Sequence, residues 1–428
     1  MDQIGKWTLY LIALVAGFTT GIGTIGLFPQ MWLEYGMTGL VLHLIFLAIL
    51  TYVAIIEAEK VMKSGYHFAE LYRKVTKRPA MILTILVVIL MFLSYYTANT
   101  MLVFLGPVVG TGIAGRLIAA FTMLAIVYVI LTRAKDKTFL IMAGGALFFI
   151  LAITVTAVAF KLTIPSTAEF LALAKHMATS SHGITPEMIK DTASRAIYGI
   201  GLGFAFYLML GSFMNERFNS KLIIGTGVVI QVIIGFLSAV IVIYGLAPTS
   251  PGRLVKYVYG GNEAAINVMK NLPNILSAHP LLLGLFALSV FMAGLTSILP
   301  IAEVGLQIME SSFRVGRNRA ALYLTGIVAV LAIVDAPPSA AEMVLNAVSA
   351  ALFFTAIFEL YSVLTIKKGA SGPETAFAWI MIAIFAGGGL YAIVDLFRKG
   401  GIYIGSAILA VLVVLFGFFG DTIIPRGE

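Results

Sequence analysis

Two short runs hold the residues best placed to do chemistry in this sequence: Gly21-Ile22-Gly23 near the start and Gly199-Ile200-Gly201-Leu202-Gly203 near the middle. Each interrupts an apolar segment long enough to cross a bilayer. A helix that loses its hydrogen bonds inside hydrocarbon must satisfy the freed amides and carbonyls locally. Free carbonyls suit a small hard cation, and free amides at a helix start suit an anion. The stretch Gly17-Phe18-Thr19-Thr20-Gly21-Ile22-Gly23-Thr24 offers both, which fits a zwitterion beside a sodium ion. The competing reading is that the glycines only allow close helix packing. Two clusters in matching positions of two halves favour paired breaks, the sequence sign of a transporter's binding site.

A second group of oxygens lies in Ala293-Gly294-Leu295-Thr296-Ser297. Adjacent hydroxyls in an apolar helix ordinarily bond back to the preceding turn; beside free carbonyls from another segment they can instead complete an all-oxygen cage. Glu57 and Glu359 are carboxylates within apolar segments, where charge is costly and functional by default. Proton carriage is one role, and acceptance of hydrogen bonds from the amides of the breaks is the one favoured here. Arg195 and Glu303 are further intramembrane charges, either of which can snorkel toward a water-filled vestibule. The five histidines have no metal-ligand spacing, and no nucleophile–base constellation or phosphate-binding loop is present, so no enzyme activity is expected.

The elements that must position these residues are membrane helices. Of 428 residues, 60% are hydrophobic and 11% charged, with a mean hydropathy of +1.01. Twelve spans are predicted, at about 8–30, 38–60, 80–106, 113–132, 138–162, 191–214, 221–247, 281–308, 319–336, 341–366, 375–396 and 402–420. Most of the 28 basic residues fall in loops on one side, including Lys135, Lys367, Lys368 and Arg426. By the positive-inside rule that side is cytoplasmic and holds both termini, in a multi-pass protein of the cell membrane. Nucleic-acid binding is not expected, because no basic cluster interleaves with aromatics outside the spans. The absence of cysteine excludes disulfides and thiolate metal sites.

Residues 163–190 and 248–280 fall on the opposite side as polar stretches with turn residues (Pro165, Pro186, Pro251, Pro273), read either as surface helices or as plain loops. The breaks lie in spans one and six. Five spans separate their starts, so the second half enters the membrane from the opposite face. The expected organisation is a first repeat over 1–162, a loop over 163–190, a second repeat over 191–366 with its own loop at 248–280, and two appended spans in 367–428.

At these residues the chain resembles the neurotransmitter:sodium symporter family, in its prokaryotic leucine-transporter branch. Gly21-Ile22-Gly23-Thr24-Ile25-Gly26-Leu27-Phe28-Pro29 is similar to the family's Gly-x-Gly-Asn-x-x-Arg-Phe-Pro signature. Ser94-Tyr95-Tyr96 resembles the span-three tyrosine pair, Leu202-Gly203-Phe204 the span-six break, and the run 293–297 the span-eight sodium motif. The resemblance implies an all-α polytopic fold of five-plus-five inverted repeats with broken helices 1 and 6. The activity implied is sodium-coupled import of a small neutral amino acid by alternating access. Proton-coupled or uncoupled transport, or a non-transporting substrate sensor on the same scaffold, are the alternatives.

Carried over by position, the resemblance implies a sodium site of Gly17, Thr20 and Ala293 carbonyls with Thr296 and Ser297 hydroxyls. The substrate carboxylate would meet the Ile22 and Gly23 amides and the Tyr96 hydroxyl, and the amino group the Thr19, Tyr198 and Gly199 carbonyls. Phe92, Tyr96, Tyr198, Phe204, Ser297 and Ile301 would line the side-chain pocket, with Gly201 leaving it space. Glu57 and Glu359 fall where the family braces its broken helices. The departures are Thr24 for the signature asparagine, Gly199 and Gly227 at other first-sodium-site positions, Leu27 for the gate arginine and Arg195 for a span-six glutamine. They imply a single sodium ion, with Arg195 as a possible gate or charge substitute. Chloride dependence is not expected, since the chloride-site positions fall on Leu42 and Gln231. The partners implied are the zwitterion and the bilayer; the oligomeric state is left open.

Overall fold

The computed structural model describes residues 3–134, 137–261, 272, 275–366 and 372–423. Lys135, Pro273, Lys367, Lys368 and Arg426, used above, lie outside the described residues, as does most of 262–274. Among the described residues there are sixteen α-helices and no strand, and ten of the helices are each long and apolar enough to cross a membrane. Large apolar side chains such as Leu151, Val330, Ile380 and Leu412 lie exposed on outer faces. In water such surfaces would aggregate; against lipid they are matched. The chain is a polytopic helical membrane protein.

In chain order the helices are α1 (Gln3–Thr19), α2 (Ile22–Ser64), α3 (Phe68–Lys74), α4 (Pro79–Val109), α5 (Ile113–Val129) and α6 (Thr138–Thr163). They continue with α7 (Ala168–Thr179), α8 (Pro186–Ile200), α9 (Phe206–Phe213), α10 (Ser220–Leu246) and α11 (Pro251–Tyr259). The last five are α12 (Pro280–Phe313), α13 (Arg317–Val334), α14 (Pro338–Leu364), α15 (Gly372–Lys399) and α16 (Ile402–Phe419). Both polar stretches are therefore partly helical: α7 and α11 are short surface helices, and α8 starts at Pro186 rather than near 191. Proline in the first turn of α4, α8, α11, α12 and α14 removes an amide that has no helical partner there. Thr167, Thr185 and Asn219 cap α7, α8 and α10 by accepting from Phe170, Met188 and Leu222 amides.

A further boundary also differs from the sequence expectation. Helix α2 carries the end of span one directly into span two, with one non-helical residue at Gly36 (φ 59°, ψ −148°). Only glycine fits there: a Cβ would stand 2.1 Å from the Ser180 carbonyl oxygen, and that carbonyl accepts from the Met37 amide at 2.8 Å.

Helix α4 is the buried centre, packed by α5, α12, α13, α14 and α16. Around the two breaks, α1 packs on α6 and α10, and α2 packs along α8 and α9. At the end of the bundle that carries α3, Glu303 does not snorkel. It takes a forked bond from Arg317 (2.8 and 2.6 Å) and another from Gln307, while Arg317 Nε donates to the Leu131 carbonyl in the π-helical turn Ile130–Ala134.

Candidate functional site

The first break is short. Helix α1 ends at Thr19 and α2 begins at Ile22, with Gly21 extended between them (φ −78°, ψ −172°). Local hydroxyls close the ends: Thr19 Oγ1 donates to Val15, Thr20 Oγ1 to Ala16, and Thr24 Oγ1 back across the break to the Thr19 carbonyl at 3.1 Å. The second break is longer, with Gly201, Gly203 and Ala205 all at positive φ. Gly203 cannot be replaced cheaply, since a Cβ would lie 2.6 Å from Thr355 Oγ1 and 2.9 Å from the Leu352 carbonyl. Glu359 accepts from the Gly203 amide at 2.8 Å and from the Ala205 amide, and Tyr207 donates to the Ile200 carbonyl at 2.8 Å. The amides and carbonyl freed by this break thus find partners on α9 and α14.

Glu57 behaves differently. It is fully buried on α2, yet neither carboxyl oxygen has a hydrogen-bond partner. In this conformation only Glu359 braces a break.

The breaks touch each other through Phe18, whose ring stacks on Phe206 (centroids 3.7 Å apart, 20° between planes). A Cβ on Gly201 would fall 2.4 Å from the Phe18 ring, so glycine is what admits this contact.

Between them lies a cavity of about 270 Å³. Thr19, Ile22, Gly23, Phe92, Tyr96, Tyr198, Gly199, Gly201, Phe204, Ser297 and Ile301 all border it, so residues from five helices and the two breaks meet around one space. At its floor the Ile22 amide donates to Tyr96 Oη at 2.6 Å. The phenol oxygen therefore sits on the first turn of α2, where a carboxylate oxygen would be received. Gly21 permits this approach, because a Cβ there would stand 2.0 Å from the same oxygen. Phe92 stacks on Tyr96 and touches Phe204, which makes the wall aromatic (centroids 4.7 and 4.9 Å apart).

The oxygens of Gly17, Thr20, Ala293, Thr296 and Ser297 belong to a close approach of α1 and α12. Ser297 Oγ donates across the helices to the Gly17 and Phe18 carbonyls at 3.2 and 3.0 Å. Thr296 Oγ1 bonds within its own helix, to Met292 at 2.8 Å and Ala293 at 3.1 Å. A Cβ on Gly17 would lie 3.1 Å from the Thr296 Cβ, so the two chains are in contact there. These are neutral hard oxygens within a few ångströms of one another, a donor set that fits sodium once the hydroxyls turn.

At the other first-site positions the chain offers no side-chain oxygen, and at Gly227 there is no room for one. A Cβ on Gly227 would collide with Val15 at 2.5 Å, and one on Gly199 would lie 2.8 Å from Gln231 Nε2. Gln231 is buried and borders the cavity, with its Oε1 unpartnered.

Arg195 points inward. Its guanidinium donates to the Leu27 carbonyl at 3.0 Å and to Gln30 Oε1 at 3.1 Å. Gln30 in turn donates to the Tyr257 and Gly261 carbonyls, and Tyr257 donates to the Gly26 carbonyl at 2.5 Å. Helices α8, α2 and α11 are thus tied over the cavity.

Several bordering residues were not singled out from the sequence: Asn99, His43, Ser349, Lys190 and Asp395 among them. Asn99 was within reach of a sequence argument, since it continues the face of Phe92 and Tyr96 at helical spacing. At the cavity's edge Lys190 of α8 bonds Asp395 of α15 at 3.3 Å, a pairing across 205 residues that no local pattern announces. The chain matches no protein-family model and no curated protein sequence.

Proposed function

We propose that this protein is a sodium-coupled secondary transporter that imports a small neutral amino acid by alternating access, similar to the neurotransmitter:sodium symporters. One observation carries the reading. The amide of Ile22 and the hydroxyl of Tyr96 meet on the floor of the same aromatic cavity that Ser297 borders while bonding the Gly17 and Phe18 carbonyls. An anion-receiving helix start and a group of cation ligands then act on one ligand, as a zwitterion beside sodium requires.

In this reading the two halves are five-plus-five inverted repeats, with α15 and α16 appended. The α3 end is cytoplasmic, in keeping with the positive-inside rule, and the α7 end faces outward at the plasma membrane. A single sodium ion travels with each substrate, held by oxygens of Gly17, Thr20, Ala293, Thr296 and Ser297. The glycines at 199 and 227, which bring no side-chain oxygen, and the crowding by Val15 at Gly227 support one ion rather than two. Transport means that the cavity's access alternates, with Arg195 and its ties to Leu27 and Gln30 serving as the outer closure.

A thermal-shift screen of the purified protein in sodium tests the ligand class. Stabilisation by neutral amino acids is expected. Stabilisation by decarboxylated amines, with none by amino acids, overturns the reading. Proton coupling is favoured by one feature alone, the buried and unpartnered carboxyl of Glu57. It demands substrate-dependent proton movement that Glu57→Gln abolishes.

A further inference from the structure

Behind the cavity wall, between α4, α5 and the link from α13 to α14, lie two buried charges of opposite sign. Arg116 is 5% exposed, and its Nη1 donates to Asn99 Oδ1 at 3.3 Å while Nε and Nη2 have no partner. Asp335 is 1% exposed; its Oδ2 accepts from Ser94 Oγ at 2.7 Å, and Oδ1 has no partner. Asp335 feels the Arg116 charge, with no hydrogen bond between them. Burying a guanidinium and a carboxylate is expensive unless both are well bonded, and apolar side chains of similar volume generally stabilise as much or more. Packing alone does not account for the pair.

What both charges hold is α4. Ser94 and Asn99 flank Tyr95, and both Tyr95 and Asn99 border the cavity, Asn99 one turn nearer the α7 end than the tyrosines. The Asn99 side chain is fixed at both ends, its Oδ1 by Arg116 and its Nδ2 by donation to the Tyr95 carbonyl at 2.9 Å. This orientation assigns the oxygen to the guanidinium and leaves the second Nδ2 hydrogen as what the side chain can offer a ligand.

We propose that Asn99 is a specificity-determining residue of the cavity, kept in a donor orientation by Arg116, whose buried charge Asp335 offsets, and that it selects neutral amino acids whose side chain carries an oxygen acceptor. The inference rests on the amino-acid reading above. Asn99 touches the ligand; Arg116 is a positioning residue that acts through it, and Asp335, held by Ser94, offsets the Arg116 charge. An apolar side chain of the same length would leave the Asn99 donor unpaired, and a site built to bond a polar group rejects its apolar analogue for that reason.

The test is the ratio of dissociation constants for glutamine and methionine, which match in length. Wild type should prefer glutamine. Asn99→Leu should lower that preference by at least about tenfold while methionine still binds. Arg116→Met alone strands a buried carboxylate and risks misfolding, so the positioning role is read from the paired neutralisation Arg116→Met/Asp335→Leu. That variant should fold, bind methionine as wild type does, and lose glutamine preference. Binding of both ligands with a ratio unchanged in Asn99→Leu overturns the specificity assignment. An unchanged ratio in the paired variant overturns the positioning role. Binding of no amino acid by wild type overturns the underlying reading, and this inference with it.

Discussion

Gly21→Ala puts the geometry of the first break under direct test. Gly21 is extended, a conformation open to any residue, so the effect of alanine there is steric and not conformational. The new Cβ would stand 2.0 Å from Tyr96 Oη and 3.0 Å from Ser297 Oγ. The phenol cannot swing aside freely, because its ring stacks on Phe92 and its oxygen holds the Ile22 amide. Overpacking costs about 1–3 kcal/mol, and loss of the Tyr96–Ile22 bond costs about 1 kcal/mol more. The variant should lose about 2–4 kcal/mol of stability. Removing the offending oxygen should restore part of it. In Gly21→Ala/Tyr96→Phe the nearest remaining contacts are Ser297 Oγ at 3.0 Å and the ring Cζ at 3.1 Å, which small shifts relieve. Tyr96→Phe by itself should be mildly destabilising, so the double variant should be more stable than Gly21→Ala. The coupling energy should be about 1–3 kcal/mol. Denaturant unfolding in detergent of all four proteins reads this cycle. Additive effects, or a Gly21→Ala protein as stable as wild type, would refute the placement of the phenol on the break.

Three further outcomes follow from the same geometry. Glu359→Gln leaves one acceptor oxygen for the two amides of Gly203 and Ala205 and should cost about 2–3 kcal/mol in unfolding; a loss under about 0.5 kcal/mol contradicts the brace. Arg195→Gln breaks the bonds to Leu27 and Gln30 and should weaken substrate binding about tenfold with the sodium count unchanged; wild-type affinity would mean that the guanidinium does no work at the cavity. Burial pushes His67 below its ordinary value of 6.5, against the raising effect of its bond to Gln307 and of Glu70. The folded protein therefore holds His67 neutral where the unfolded chain protonates it, so its stability is full above about pH 6.5 and falls as pH drops below it. His67→Gln should flatten that slope in pH-dependent melting, and an unchanged slope would assign the effect elsewhere.

Much of this arrangement was legible in the residues because it depends on short-range facts. The glycine clusters marked both breaks, since a broken span needs residues that tolerate positive φ and close approach, as at Gly201 and Gly203. The hydroxyl pair at Thr296 and Ser297 stood out because polar side chains are rare in an apolar helix. What was not legible was set by tertiary packing. Arg195 had two directions open to it, and the carbonyl of Leu27 and the amide of Gln30 decide between them only once α2 lies against α8. Glu57 and Glu359 read alike as intramembrane carboxylates, yet only Glu359 faces the amides. Arg116 and Asp335 were not singled out in the sequence; their burial depends on α5 and α13 meeting against α4, where Ala98, Ala120 and Ala332 allow the approach. The continuity of α2 through Gly36 also escaped the pattern, because a loop there would have been equally compatible with the composition.

The central claim is coupling of one sodium ion to one amino acid, and its most direct test is the accumulation ratio in proteoliposomes with the membrane potential held at zero. A tenfold inward sodium gradient supplies about 1.4 kcal/mol per ion. One ion per substrate therefore supports about tenfold accumulation of the amino acid, and two ions about a hundredfold. The account predicts a plateau near tenfold that collapses when sodium is equal on both sides. A plateau near a hundredfold would contradict the single site, and uptake that never rises above the outside concentration would contradict sodium coupling itself.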